Sequence, residues 1–134
     1  MKKNILVLFT IISLYLFGCG YNFSDYSEEL SGNYFFRGEG GECNDILPHR
    51  GGYEIPGEVL SYNYNHDFII ASQKPGGCGP YDNRPKYKEG KQATYYWIIV
   101  HAQKLVVGPM NKTEFENAKL KYNVPADLEL KPVD

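Results

Sequence analysis

Histidine occurs three times, cysteine three times and tryptophan once in 134 residues, so the side chains that most often do chemistry are scarce. No two histidines stand at a helical i+3 or i+4 spacing, and no CxxC pair occurs, which leaves metal binding without a spacing to rest on. Neither Ser61 nor Ser72 is framed as Gly-x-Ser-x-Gly, so a nucleophile elbow is absent. The glycine-rich Gly38-Glu39-Gly40-Gly41-Glu42 lacks the Lys-Ser/Thr of a phosphate loop, and its glutamates would repel phosphate; it reads as a turn. Positive charge is not in excess either, with 14 Lys and Arg against 16 Asp and Glu and a net charge of −2. Nucleic acid is thereby a poor partner. The length admits one domain and excludes most multi-domain enzymes. Internal repeats and low-complexity segments are absent. Aromatic residues are plentiful at 15%, including 12 Tyr, which speaks against intrinsic disorder.

The chain opens with a different pattern. Met1 to Lys3 is short and basic, and the fourteen residues 4–17 are mostly apolar. As a helix that run would reach about 21 Å, short of the roughly 30 Å hydrocarbon core, so cleavage is the better reading than a permanent span. Leu16-Phe17-Gly18-Cys19 resembles the lipobox of bacterial lipoproteins, in which the cysteine thiol takes a diacylglycerol before the leader is removed. The expected organisation is a signal peptide over 1–18, a lipid-anchored tether over 19–29 and one domain over 30–134. Cys19 is then the membrane anchor. With it accounted for, Cys43 and Cys78 remain as a pair in an oxidising compartment, and a disulfide is the natural expectation over two buried free thiols.

From residue 30 the pattern is that of strands. Asn33 to Arg37 and Asp45 to Leu47 are short candidates. Glu58 to Tyr64 and Phe68 to Gln73 flank Asn65-His66-Asp67 and read as a hairpin, being rich in β-branched and aromatic residues around turn formers. Residues 74–92 hold three prolines without an apolar period and read as a long loop. Ala93 to His101 is the most hydrophobic stretch after the leader and should be a buried central strand. Ala102-Gln103-Lys104 turns the chain into Leu105-Val106-Val107, and Gly108-Pro109 is expected to stop that pairing. A helix follows: Asn111 can cap it, Glu114 completes a capping box, and Phe115, Ala118 and Tyr122 form one apolar stripe before Asn123 and Pro125 end it. The fold class expected is α+β, an antiparallel meander of about five to seven strands with one C-terminal helix packed on it.

The order Ile55-Pro56-x-x-Val59, Phe68-Ile69-Ile70-Ala71, Tyr96-Trp97-Ile98-Ile99, Val107-Gly108-Pro109, Phe115 and Val124-Pro125 resembles a family of small bacterial lipoproteins and secreted proteins of unknown function. The resemblance covers roughly residues 30 to 130. It departs at Val100-His101, where relatives tend to open the turn with an acidic residue. What it implies is a fold and an address. It carries over no catalytic residue and no cofactor.

Several features remain as candidate binding sites. Tyr81, Arg84, Lys86, Tyr87 and Lys88 interleave basic and aromatic side chains in the long loop, a pattern suited to an acidic partner, an anionic lipid surface or a glycan. Tyr62-Asn63-Tyr64-Asn65 invites sugar stacking, though alternating aromatics equally serve a sheet. His66-Asp67 could do acid–base work but is what a hairpin tip would contain, and His49 and His101 carry no stronger signal. The function expected is that of a non-enzymatic envelope lipoprotein that binds another protein, in one version an immunity or inhibitor protein. A carbohydrate- or peptidoglycan-binding module and an uncharacterised hydrolase are the alternatives, and no metal or cofactor is expected.

Overall fold

The computed structural model describes residues 26–40, 42–76 and 85–134. Among the described residues eight strands and one α-helix form three layers, in agreement with the α+β class. Strands β1 (Tyr26–Glu29), β2 (Tyr34–Gly38) and β3 (Asp45–Pro48) make a small antiparallel sheet in the order β1-β2-β3. Strands β4 (Val59–Tyr64), β5 (Phe68–Gln73), β6 (Tyr95–Val100), β7 (Leu105–Met110) and β8 (Lys131–Pro132) make a larger one in the order β7-β6-β5-β4-β8. The expected single meander is thus split in two. A bridge between Ile46 and Ile55 begins the passage from one sheet to the other.

The period-2 alternation of the central strands explains the layering. On β5 and β6, Ile69, Ala71, Trp97 and Ile99 point to one side, where they meet Phe36 and Ile46 of the small sheet together with Ile55 and Val59. Ile70, Ile98 and Val100 point to the other side, where they meet Phe115, Ala118, Val124 and Leu128. Strands buried on both faces carry continuous apolar runs, which is why Tyr95 to Val100 looked so hydrophobic. Each fully buried isoleucine contributes on the order of 1.5–3 kcal/mol relative to exposure.

The helix α1 (Lys112–Lys121) starts as its sequence dictates. Asn111 Oδ1 accepts from the Glu114 backbone N–H at 2.9 Å, and Glu114 Oε2 accepts from that of Asn111 at 3.0 Å. Phe115 and Ala118 are buried, Tyr122 partly so, and Asn123 adopts a left-handed φ of 56° just past the end.

Two expectations are corrected. Gly108-Pro109 does not stop the pairing: β7 runs through it to Met110, which pairs with Tyr96 after a register shift. β7 is an edge strand, so a residue without an N–H is tolerated there as a bulge. Gly108, at φ 147°, lies so close to Trp97 that a Cβ would sit 2.5 Å from the indole ring. The stretch read as tether, 19–29, gives its last four residues to β1, which pairs with β2 from Tyr26↔Gly38 to Glu29↔Phe35.

Candidate functional site

The inner face of β1 and the facing strand β4 build a polar cluster at the mouth between the two sheets. Tyr62 and Tyr64 are two residues apart on β4, so both side chains point toward the small sheet, where Glu28 of β1 meets them. Glu28 Oε2 accepts hydrogen bonds from the hydroxyls of Tyr62 and, at 3.1 Å, Tyr26. Its Oε1 accepts from Tyr64 at 3.2 Å. Three phenols thus converge on one carboxylate. Burial, the hydrogen bond to Glu28 and its negative charge all push the Tyr62 hydroxyl well above the usual phenol range. The same carboxylate raises Tyr26, chiefly through the hydrogen bond, and adds to the effect of burial at Tyr64. All three are therefore donors at neutral pH.

This cluster borders a cleft of about 680 Å³, lined by Tyr26, Glu28, Phe36 and Tyr62 on one part and by residues 132–134 on another. Phe36 and Tyr62 stack with ring centroids 4.8 Å apart, which fixes the back of the cleft. The sequence signal for it was slight. Tyr26 and Glu28 fall in a stretch without apolar period, and only the paired tyrosines of β4, each with a hydroxyl in need of a partner, hinted at a buried acceptor.

A second polar network closes the opposite end. Gln73 is fully buried; its Nε2 donates to the Gly57 carbonyl at 3.2 Å and to Tyr87 Oη at 3.0 Å, and its Oε1 accepts from Trp97 Nε1 at 3.2 Å. Tyr95 Oη accepts from the Glu89 N–H and donates to the Gly90 carbonyl, so two tyrosines pin the chain over 87–90. Of the expected basic–aromatic patch, Tyr87 is therefore turned inward, its ring 4.8 Å from that of Tyr95. Lys86 and Lys88 are exposed, Lys88 lying 3.6 Å from Glu114. Tyr81 and Arg84 lie outside the described residues.

The histidines are dispersed. His66 pairs only with its neighbour Asp67 in an open turn, and His49 meets Glu29 at 2.7 Å on the surface. His101 is partly buried, with Nε2 2.8 Å from Ser31 Oγ, a contact that ties the β1–β2 turn to the β6–β7 turn. A serine beside a histidine is a component of hydrolases, but the ring packs so tightly on Gly32 that a Cβ there would lie 2.0 Å from Nδ1. Asp67 reaches His101 through its field and a backbone hydrogen bond, not through a carboxylate hydrogen bond to the ring. Among the described residues no orienting carboxylate completes a triad. Ser61 and Ser72 bond each other across β4 and β5.

Burial lowers the His101 pKa below 6.5, against a partial upward pull from Asp67 and a small downward push from His66. The neutral ring is then the form that fits the fold. Its contribution to stability is present above pH 6.5 and is lost as pH falls through the lowered folded value. Urea midpoints measured at pH 7.5 and 5.5 should fall on acidification, and the fall should shrink in His101→Gln.

Cys43 is partly buried and is not a free, titrating thiol. Cys19 and Cys78 lie outside the described residues. Gly76, two residues before Cys78, approaches the side chain of Glu42, the neighbour of Cys43: a Cβ on Gly76 would lie 3.4 Å from Glu42 Oε2. Among the described residues no group of three or more His, Cys, Asp or Glu is arranged to hold a metal ion, and no helix is long and apolar enough to cross a membrane.

A family model described as a protein of unknown function (DUF3997) matches residues 32–134. No curated protein and no solved structure matches the chain.

Proposed function

The chain belongs to this family, and on that premise we propose that it is a bacterial envelope lipoprotein without enzymatic activity whose folded domain binds another protein. In this reading residues 1–18 are removed, Cys19 carries the lipid, and Cys43 and Cys78 form a disulfide, which the contact between Gly76 and Glu42 supports. Acyl chains contribute about 0.8 kcal/mol per buried methylene, so two or more of them hold the protein to a membrane without help from the domain surface.

The observation that carries the reading is where the cleft lies along the chain. Tyr26, in its wall, stands seven residues after Cys19, a span of at most about 25 Å even fully extended. A partner engaged at the cleft is met close to the membrane. An immunity or inhibitor protein that intercepts a toxin or hydrolase as it arrives would use such a position.

The rival chemistries find their residues committed elsewhere. A sugar-binding Tyr62-Asn63-Tyr64 run would draw on its donors, yet both hydroxyls donate to Glu28 and the Asn63 amide donates to the Glu129 carbonyl at 2.7 Å. A hydrolase would need more than the Ser31–His101 contact.

The test is affinity capture of the full lipidated chain from its own cells in mild detergent, beside a Tyr26→Ala chain. The expected result is one stoichiometric protein partner, retained by the parent and reduced in the variant. Retention of no protein, together with a saturable Trp97 fluorescence change on adding peptidoglycan fragments, would replace this reading with the carbohydrate-binding one.

A further inference from the structure

The Glu28 carboxylate is partly buried beside an open cleft, and among the described residues it forms no ion pair. Tyr26, Tyr62 and Tyr64 give it hydrogen bonds but no positive charge. A carboxylate has about four lone-pair sites, and Oε1 takes only Tyr64, so one site remains open. The phenol oxygens, which donate to Glu28, still hold acceptor lone pairs of their own. Asp134 lines the same cleft, also without an ion pair among the described residues, and is near enough to Tyr26 for its charge to raise that hydroxyl.

Three of the other lining residues are aromatic, beside Gly38, Gly40, Asn44, Pro132 and Val133. Tyr26, Phe36 and Tyr62 contribute rings, and the faces of such rings carry negative potential. Carboxylate and π surface together favour a cation. A hard metal ion would ask for six or more oxygen ligands, which two carboxylates among aromatic rings do not supply. An ammonium head on an alkyl stem answers both parts: the head reaches Glu28 and the phenol oxygens, while the methylenes lie along Tyr26 and Tyr62, with the buried Phe36 stacked behind Tyr62.

We infer that the cleft between β1, β4 and residues 132–134 is a binding site for an alkylammonium group, held by Glu28 and Asp134 against the rings of Tyr26 and Tyr62. The group could come from a lysine side chain of a partner protein or from a free amine. The lysine source rests on the protein-binding reading above, whereas the ammonium site does not.

The full chain in detergent is titrated with n-butylamine, with Nα-acetyl-lysine methylamide, with its Nε-acetylated form and with spermidine, following the ring resonances of Tyr26 and Tyr62 by NMR. The first two should produce saturable shifts that weaken as salt is added, and the Nε-acetylated probe should produce none. Glu28→Gln, which keeps the shape but removes the charge and turns one acceptor oxygen into a donor, should weaken n-butylamine about tenfold, as expected for loss of a charge-assisted contact. Asp134→Asn, at the rim, should weaken it by a smaller factor and serves as the readout should Glu28→Gln fold poorly. Tighter binding of the lysine probe than of spermidine supports the site with a protein as its source, and the reverse order supports it with a free amine. Absence of saturation with any amine, or equal binding of the Nε-acetylated probe, overturns the inference. A chain that captures a protein yet ignores every amine sinks this site alone, and one that binds amines yet retains no protein sinks the protein-binding reading alone.

Discussion

Replacing Gln73 by Leu is expected to lower the free energy of unfolding by about 2–4 kcal/mol, since it strands two or more buried polar groups at roughly 1–3 kcal/mol each. Leucine fills a similar volume but offers nothing to Trp97 Nε1, to the Gly57 carbonyl or to Tyr87 Oη, all of which meet the Gln73 amide. The indole N–H is the costliest of these, because Trp97 is buried between the sheets and has no water to turn to. Tyr87 can rotate outward, and the loop it pins would then loosen. Equilibrium urea unfolding should show a lower midpoint with an unchanged slope, and hydrogen exchange at Glu89, whose N–H is held by Tyr95, should quicken. A midpoint within error of the parent would mean that the amide network is incidental.

Breaking the proposed Cys43–Cys78 bridge is expected to cost about 3–4 kcal/mol, the chain-entropy value for a closed loop of about 35 residues. A bridge there would join the turn before β3 to the loop after β5, and Gly57 already packs on the first of these: a Cβ on it would lie 2.8 Å from the carbonyls of Asn44 and Glu42. The turn is therefore tightly held even without the sulfurs, so reduction should loosen the fold without destroying it. Unfolding with and without reductant, compared with Cys78→Ser, should give the same loss in both cases. Non-reducing peptide mapping should recover Cys43 and Cys78 in one linked peptide. Full alkylation of Cys78 in the untreated protein would remove the bridge from the account.

What could be read from the residues alone was local. The β4–β5 hairpin, the apolar β6 and the capping box at Asn111 each announce themselves within about ten residues, and each forms where expected. The small sheet was harder. β1 is Tyr-Ser-Glu-Glu, mostly exposed and without alternation, and it is held by pairing with β2 and by tyrosines on a strand more than thirty residues away. β8 is two residues long and pairs with β4 only because the chain after α1 returns across the sheet. Gly108-Pro109 has the chemistry of a stop, and only its place on an edge turns it into a bulge. Gln73 at a strand end looks like a polar terminus, yet the loop carrying Tyr87 folds over it. The candidate site was hidden for the same reason: a glutamate in a polar stretch reads as solvated, and only the fold gathers three phenols around it.

The account depends on the domain being moored at Cys19, and intact-mass and peptide mass spectrometry of the protein isolated from its own cells tests that directly. The expected product begins at Cys19 and carries a diacylglyceryl thioether, with the leader gone. A chain retaining Met1, or one with an unmodified thiol at Cys19, would contradict it.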